Sequence, residues 1–188
     1  MKDGFRLVAR IPYQNTKPKR LLVSSEVATL RHLRSHRLPV PEVYAYSASP
    51  SNPAETEYII MELIGGTNLG DIWYELGEKA RIEVVRKLVE LESRLFGLQF
   101  PASGSLYYKR DLERNTLRYD LPSTLSSEHD VLSVGPDTTQ SLWYGKRLGL
   151  DVPRGPCELL CAAFPGSLCP RCMRRRCPPH IHMLMLHR

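Results

Sequence analysis

Cysteine is absent from the first 156 of the 188 residues; Cys157, Cys161, Cys169, Cys172 and Cys177 all crowd into residues 157–188. A body without cysteine builds no disulfide framework and fits a reducing compartment. No apolar run approaches the length needed to cross a bilayer, since the longest central one, residues 58–64, is interrupted by Glu62. The first dozen residues lack a continuous apolar segment and carry Asp3, Arg6 and Arg10. Neither a secretory signal nor an acid-free amphipathic transit peptide is therefore expected there. Taken alone, these absences predict a soluble, cytoplasmic chain with no membrane partner.

Acid is scarce near the other end. Residues 157–188 hold five arginines against one acid, Glu158, so this tail carries +4 of the formal net charge of +6 and the body only +2. A near-neutral body has no general attraction for polyanions, and nucleic acid is not an expected partner. The length predicts one ordinary core.

The composition of the tail leaves two readings open. Cys169, Cys172, Cys177 and His180, with His182 beside them, are spaced closely enough to surround one zinc ion. The same stretch mixes Pro178-Pro179, Arg174 to Arg176 and Met183-Leu-Met-Leu186 without any helix or strand period. That mixture reads as disordered or out-of-frame sequence. Arg171 with Arg174 to Arg176 forms a cluster that lacks interleaved aromatics, the pattern of a solvated end rather than an RNA contact.

Along the body, residues 5–11 alternate bulky apolar groups after a turn-prone Lys2-Asp3-Gly4 and predict a strand entered from a hairpin. Its partner is expected upstream of Met1. Ser24 or Ser25 is a candidate cap for a helix with Glu26 in its first turn, Val27, Leu30 and Leu33 on one face, and Pro39 at its end. Residues 40–47 predict a second strand, held extended at its start by Pro39 and Pro41. Residues 57–63 predict a third, closed by Gly65-Gly66, and residues 69–76 a short helix. The strongest signal is a helix over residues 78–96, where Val84, Leu88, Leu91 and Leu95 recur at 4-3-4 spacing beside Val85 and Val89. Residues 100–108 read as loop and short strand, and residues 113–147 carry no sustained period. The order predicts an α+β fold with helices packed on an antiparallel sheet.

This order, with Leu7-Val-Ala-Arg-Ile-Pro12, Ser25-Glu-Val-Ala-Thr-Leu30, Leu38-Pro-Val-Pro41, Glu57-Tyr-Ile-Ile-Met-Glu-Leu63, Gly104-Ser-Leu-Tyr-Tyr108, Gly135-Pro136, Trp143 and Arg154-Gly-Pro156, resembles the aminoglycoside phosphotransferase and choline kinase-like family. The likeness is greatest to its fungal branch, typified by altered inheritance of mitochondria protein 9. It implies a protein-kinase-like fold, partial here and truncated at both ends: residues 1–64 as part of the small lobe, 65–156 as the start of the large lobe, 157–188 as the tail. It further implies ATP with magnesium as cofactors, a small hydroxyl compound as substrate in full-length relatives, and a mitochondrial location.

In that family a strand cation meets the nucleotide phosphates and a helix acid holds the cation, which nominates Arg10 and Glu26. An arginine fork can bind a carboxylate and keep donors for an anion. On spacing alone, Arg10 equally reads as a surface strand residue. Met61, Glu62 and Leu63, with Ile64 following, fall where the family's chain crosses between lobes and edges the adenine with backbone groups. Asp71 and Trp73 would stand near that mouth, although an exposed helix position and a core position account for them equally.

The residues of transfer itself are missing. In this fold an acceptor base and metal ligands come from His-x-Asp with Asn five residues after the Asp, then a further Asp. None of His32, His36, His129, His180, His182 and His187 precedes Asp by two positions, and in His129-Asp130 the Asn position is Gly135. Asn15, Asn52, Asn68 and Asn115 all precede His129. No catalytic residue is therefore assigned, and a piece inactive by itself is expected. A noncatalytic nucleotide- or protein-binding module is the alternative. An open strand edge at residues 5–11 predicts self-association through the sheet.

Overall fold

The computed structural model describes residues 6–122 and 130–158. The hairpin turn at Lys2-Asp3-Gly4, His129 and the zinc candidates Cys169, Cys172, Cys177 and His180 lie outside the described residues. The chain is α+β and divides into two compact units, one of residues 1–11 and 29–99, the other of residues 12–28 and 100–188. Those borders differ from the break at 64/65 read from sequence. Helix α3 (Glu78–Phe96) groups with the first sheet, to whose connecting turn Arg94 is tied by bonds to the carbonyls of His36 and Arg37.

The first unit contains strands β1 (Leu7–Arg10), β2 (Val43–Ser47) and β3 (Tyr58–Glu62) in the order β1-β3-β2, all antiparallel. The apolar run Tyr58-Ile-Ile-Met becomes the central strand because both of its faces are covered: Ile59 and Met61 are buried, Tyr58 and Ile60 half-buried. Leu7 lies opposite Glu62 and Arg10 opposite Ile59. Strand β2 starts three residues later than its apolar pattern suggests. Pro39 and Pro41 have no N–H to give a ladder, and Val40 turns back to bond the Leu38 carbonyl at 2.9 Å. A bulge between Val43 and Ala45 then shifts the register against β3.

Helix α1 (Lys19–Ser35) contributes to both units and corrects two expectations. It begins five residues before Ser24, directly after Pro18, whose carbonyl accepts the first helical bond from Leu22 at 3.0 Å. Glu26 is therefore in the body of the helix, and no acid occupies the first turn. Ser24 and Ser25 are buried with Val23, Val27 and Ala28, so small size is what the site uses, and the Ser24 hydroxyl has no partner among the described residues.

The helix also ends before Pro39. Leu38 N–H reaches back to Leu33 O at 3.0 Å and Arg37 N–H to Arg34 O at 2.8 Å, with Arg37 at φ 61. That is a Schellman ending, which favours glycine at the left-handed position. Arg37→Gly is expected to raise stability by about 1 kcal/mol, because the strain of a left-handed arginine exceeds the chain entropy that glycine adds. Equilibrium urea unfolding checks this; a fall in midpoint sinks it. The side chain of Arg37 is exposed and its carbonyl, the group Arg94 uses, survives the change.

After β3 come residues 63–68, exposed throughout, then short α2 (Leu69–Ile72), capped by Asn68 accepting from Gly70 N–H at 3.0 Å. Helix α3 occupies the residues its 4-3-4 spacing marks.

The second unit is built from strands too short to show a period. Strands β4 (Ala102–Ser103) and β5 (Ser105–Tyr108) flank Gly104; β6 (Tyr119–Asp120) and β7 (Leu132–Gly135) complete an antiparallel sheet of order β5-β7-β6, and β8 (Cys157–Glu158) pairs with β4. Ala28, Ala102, Leu106, Leu121 and Val134 form its core, flanked by half-buried Phe100 and Tyr119. Tyr107 is completely buried, and its hydroxyl donates to Pro136 O at 2.6 Å. Burial pushes that phenol's pKa well above the ordinary tyrosine value.

Candidate functional site

The residues nominated by sequence fall on or directly after β1, β3, α1 and α2. Arg10 closes β1 and is exposed. Met61 and Glu62 end β3, Met61 buried and Glu62 half-buried, and Leu63 opens the exposed connector. Because Arg10 stands opposite Ile59, it lies three ladder steps from Glu62, roughly 10 Å along neighbouring strands. Glu26 is half-buried in α1 and belongs to the other compact unit. Asp71 is exposed on α2. Trp73, half-buried just after α2, has the Arg81 guanidinium 5.9 Å from its ring centroid and its carbonyl bonded by Arg81 Nε at 3.1 Å.

What fixes the end of β3 escaped the sequence reading. Glu62 N–H donates to Glu42 O at 2.8 Å, while the Glu62 carboxylate accepts Glu42 N–H at 3.1 Å and Arg34 Nη1 at 3.4 Å. Arg34 further reaches the Glu42 carboxylate at 3.2 Å and Val40 O at 2.9 Å. One guanidinium thus ties the last turn of α1 to the lead-in of β2 and the end of β3. Each ion pair is half exposed and worth little by itself; the carbonyl and amide bonds give the clasp its direction. Its only sequence signal was a charged residue, Arg34, next to the last position of the α1 apolar stripe. Beside it, the Tyr44 phenol is pushed up, chiefly by desolvation and then by Glu62 and Glu42.

The clasp stands directly before the exposed segment 63–68. His32 in the last turn of α1 and His36 just after the helix stack edge to face at 4.6 Å, and desolvation, followed by the charge of His36, lowers the His32 pKa. Among the described residues no group of three His, Cys, Asp or Glu side chains could hold a metal ion.

The chain is a small α+β protein whose first sheet carries Arg10 and leads into the exposed connector at 63–68. Its relatives are fungal. It is 36% identical over 159 residues to a subtelomeric hrmA-associated cluster protein of Aspergillus fumigatus, covering 84% of this chain and 30% of that protein. It is 32% identical over 172 residues to altered inheritance of mitochondria protein 9, mitochondrial, of Yarrowia lipolytica, with 83% and 29% covered. With the Candida glabrata protein of the same name it shares 30% over 174 residues, with 78% and 26% covered. The chain thus spans less than a third of the length of these relatives. No family model matches it, and no solved structure matches it. Among the described residues no helix is long and apolar enough to cross a membrane.

Proposed function

We propose that this chain is the nucleotide-facing portion of an aminoglycoside phosphotransferase-like, kinase-like protein, and that it holds ATP without transferring phosphate. The observation that carries the reading is the pairing of β1 with β3. It sets the Arg10 cation and the clasped connector at Leu63 a nucleotide's length apart on adjacent strands. In this reading Met61, Glu62 and Leu63 present backbone groups to the base and Arg10 faces the phosphates. The relatives named mitochondrial make that compartment the proposed location. In this reading the hydroxyl substrate and the residues of transfer fall outside the less than a third of a relative's length that this chain spans.

Calorimetric titration tests the reading. Wild type is expected to bind ATP, and Arg10→Ala to weaken it about 10- to 100-fold, the equivalent of roughly 1.5–3 kcal/mol for a charge-assisted bond, with adenosine affinity nearly unchanged. No ATP binding by the folded wild type, or equal ATP affinity in both proteins, overturns the reading.

A further inference from the structure

Helix α3 carries a surface that nothing described covers. Ile82, Val85, Leu88, Val89 and Phe96 are 48–61% exposed, although they are the apolar half of an amphipathic helix. The opposite face is electrostatically closed: Arg86 bonds Glu83 and Glu90, and Lys87 lies 3.7 Å from Glu83. Three charges remain on the apolar side: Glu78 at the first residue of the helix, Arg81 and Glu92. Glu92 is exposed and makes no hydrogen bond or ion pair among the described residues. Arg81 spends two of its five N–H donors on the carbonyls of Trp73 and Tyr74, which leaves its charge without a carboxylate among the described residues.

The placement of Arg81 and Glu92 identifies the occupant. At about 100° per residue, Arg81, Val85, Leu88 and Glu92 fall along one line of the helix, spaced 4-3-4. That line reads cation, apolar, apolar, anion. Turned end for end it meets itself: Val85 of one copy faces Leu88 of the other, and each Glu92 faces an Arg81. Two-fold, self-complementary contacts of this kind are the common way in which identical chains pair. A parallel pairing would set Glu92 against Glu92.

We infer that the exposed face of α3 is the docking surface for a second copy of this chain, in an antiparallel two-fold pair centred on Val85 and Leu88. Ile82, Val89 and Phe96 flank that centre and extend the buried strip. This contact is distinct from pairing through the β1 edge, and it requires no nucleotide.

Sedimentation equilibrium on the full chain tests it. Wild type is expected to dimerise with rising concentration. Glu92→Arg, a change at an exposed position, is expected to raise the dissociation constant at least about tenfold by setting like charges together twice. Arg81→Glu should do the same, and an equimolar mixture of the two variants should recover wild-type association because both opposed pairs are then restored. Val85→Asp with Leu88→Asp should give monomer with unchanged helical circular dichroism. A wild type that stays monomeric at every concentration overturns the inference, as does a dimer indifferent to Glu92→Arg, the result that pairing through the sheet edge or through parallel helices would give. Should Arg81→Glu fail to fold, Glu92→Arg against wild type still decides.

Discussion

Gly104→Ala is expected to destabilise the chain by about 3–5 kcal/mol, roughly a fifth or more of what a domain usually has to lose. Gly104 separates β4 from β5 at φ +156, and a Cβ placed there would stand 2.4 Å from the carbonyl oxygen of Gly135, 3.0 Å from Val134 Cγ1 and 3.4 Å from Pro156 Cβ. The first of these obstacles cannot step aside. Gly135 sits opposite Ser105 in the β5–β7 ladder, so moving its carbonyl breaks the pairing that organises the second unit. Backbone strain of about 1–3 kcal/mol adds to an overpacking term of similar size. Gly149→Ala is the control, since its added Cβ meets nothing within 4 Å. Urea midpoints at unchanged m-value measure both. A Gly104→Ala protein within about 0.5 kcal/mol of wild type, the range of a neutral surface change, sinks the prediction.

The same site shows why the resemblance read from sequence was so well spaced. Gly104, Gly135-Pro136, Trp143 and Arg154-Gly-Pro156 come together in the second unit. Gly135 lets the Tyr107 ring and Leu112 approach, since an added Cβ would lie 3.0 and 3.1 Å from them. Pro136 O takes the Tyr107 hydroxyl, Trp143 Nε1 donates to Asp137 O at 2.7 Å, and Asp137 N–H donates to Arg154 O at 2.7 Å. Four of the eight matched stretches thus do architectural work, which makes them good markers of kinship and silent about chemistry.

Legibility in the sequence depended on length and period. The residues of α3 were readable because about three turns of 4-3-4 spacing leave no rival pattern, and β3 because its apolar run is bounded by Gly65-Gly66. The start of α1 was not, because a serine pair that looks like a cap instead serves as small packing residues in the helix interior. Its end was not, because a left-handed arginine does what glycine usually signals. Strands of two to four residues in the second unit are held by cross-strand bonds such as Ser133 Oγ to Asp120 at 2.6 Å, which sequence proximity does not show. In the candidate site, Arg10, Met61 and Glu62 were readable as strand positions, whereas Leu63 lies one residue past the end of β3. The clasp of Arg34, Glu42 and Glu62 depends on a chain reversal that brings together residues up to 28 apart.

Arg154→Ala is expected to cost about 3 kcal/mol, and Arg154→Lys to recover less than half of it. The Arg154 guanidinium lies 4.0 Å over the Trp143 ring, a stacking that a planar cation makes better than an ammonium. Its Nη2 donates to Arg147 O at 2.6 Å and Leu150 O at 3.0 Å, and its Nε to Leu142 O at 3.3 Å. Those carbonyls come from two 3-10 turns, Gln140–Leu142 and Gly145–Gly149, and from the residue that closes the second. Turns of this kind are weak alone and leave carbonyls without internal partners. One fork of donors therefore holds a segment that has no apolar core of its own: Tyr144, Leu148, Leu150 and Val152 are all exposed. Each bond to a charged donor contributes roughly 1–3 kcal/mol, and the ring contact roughly 1 kcal/mol, before water takes back part of the exposed share. Because loss of the fork frees residues 140–150 before the sheet melts, Trp143 should report it first. In a Trp73→Phe background its emission is expected to shift to the red in Arg154→Ala under conditions where circular dichroism is unchanged. An Arg154→Lys protein equal to wild type in both signals would show that charge alone, and not the planar fork, holds the turns.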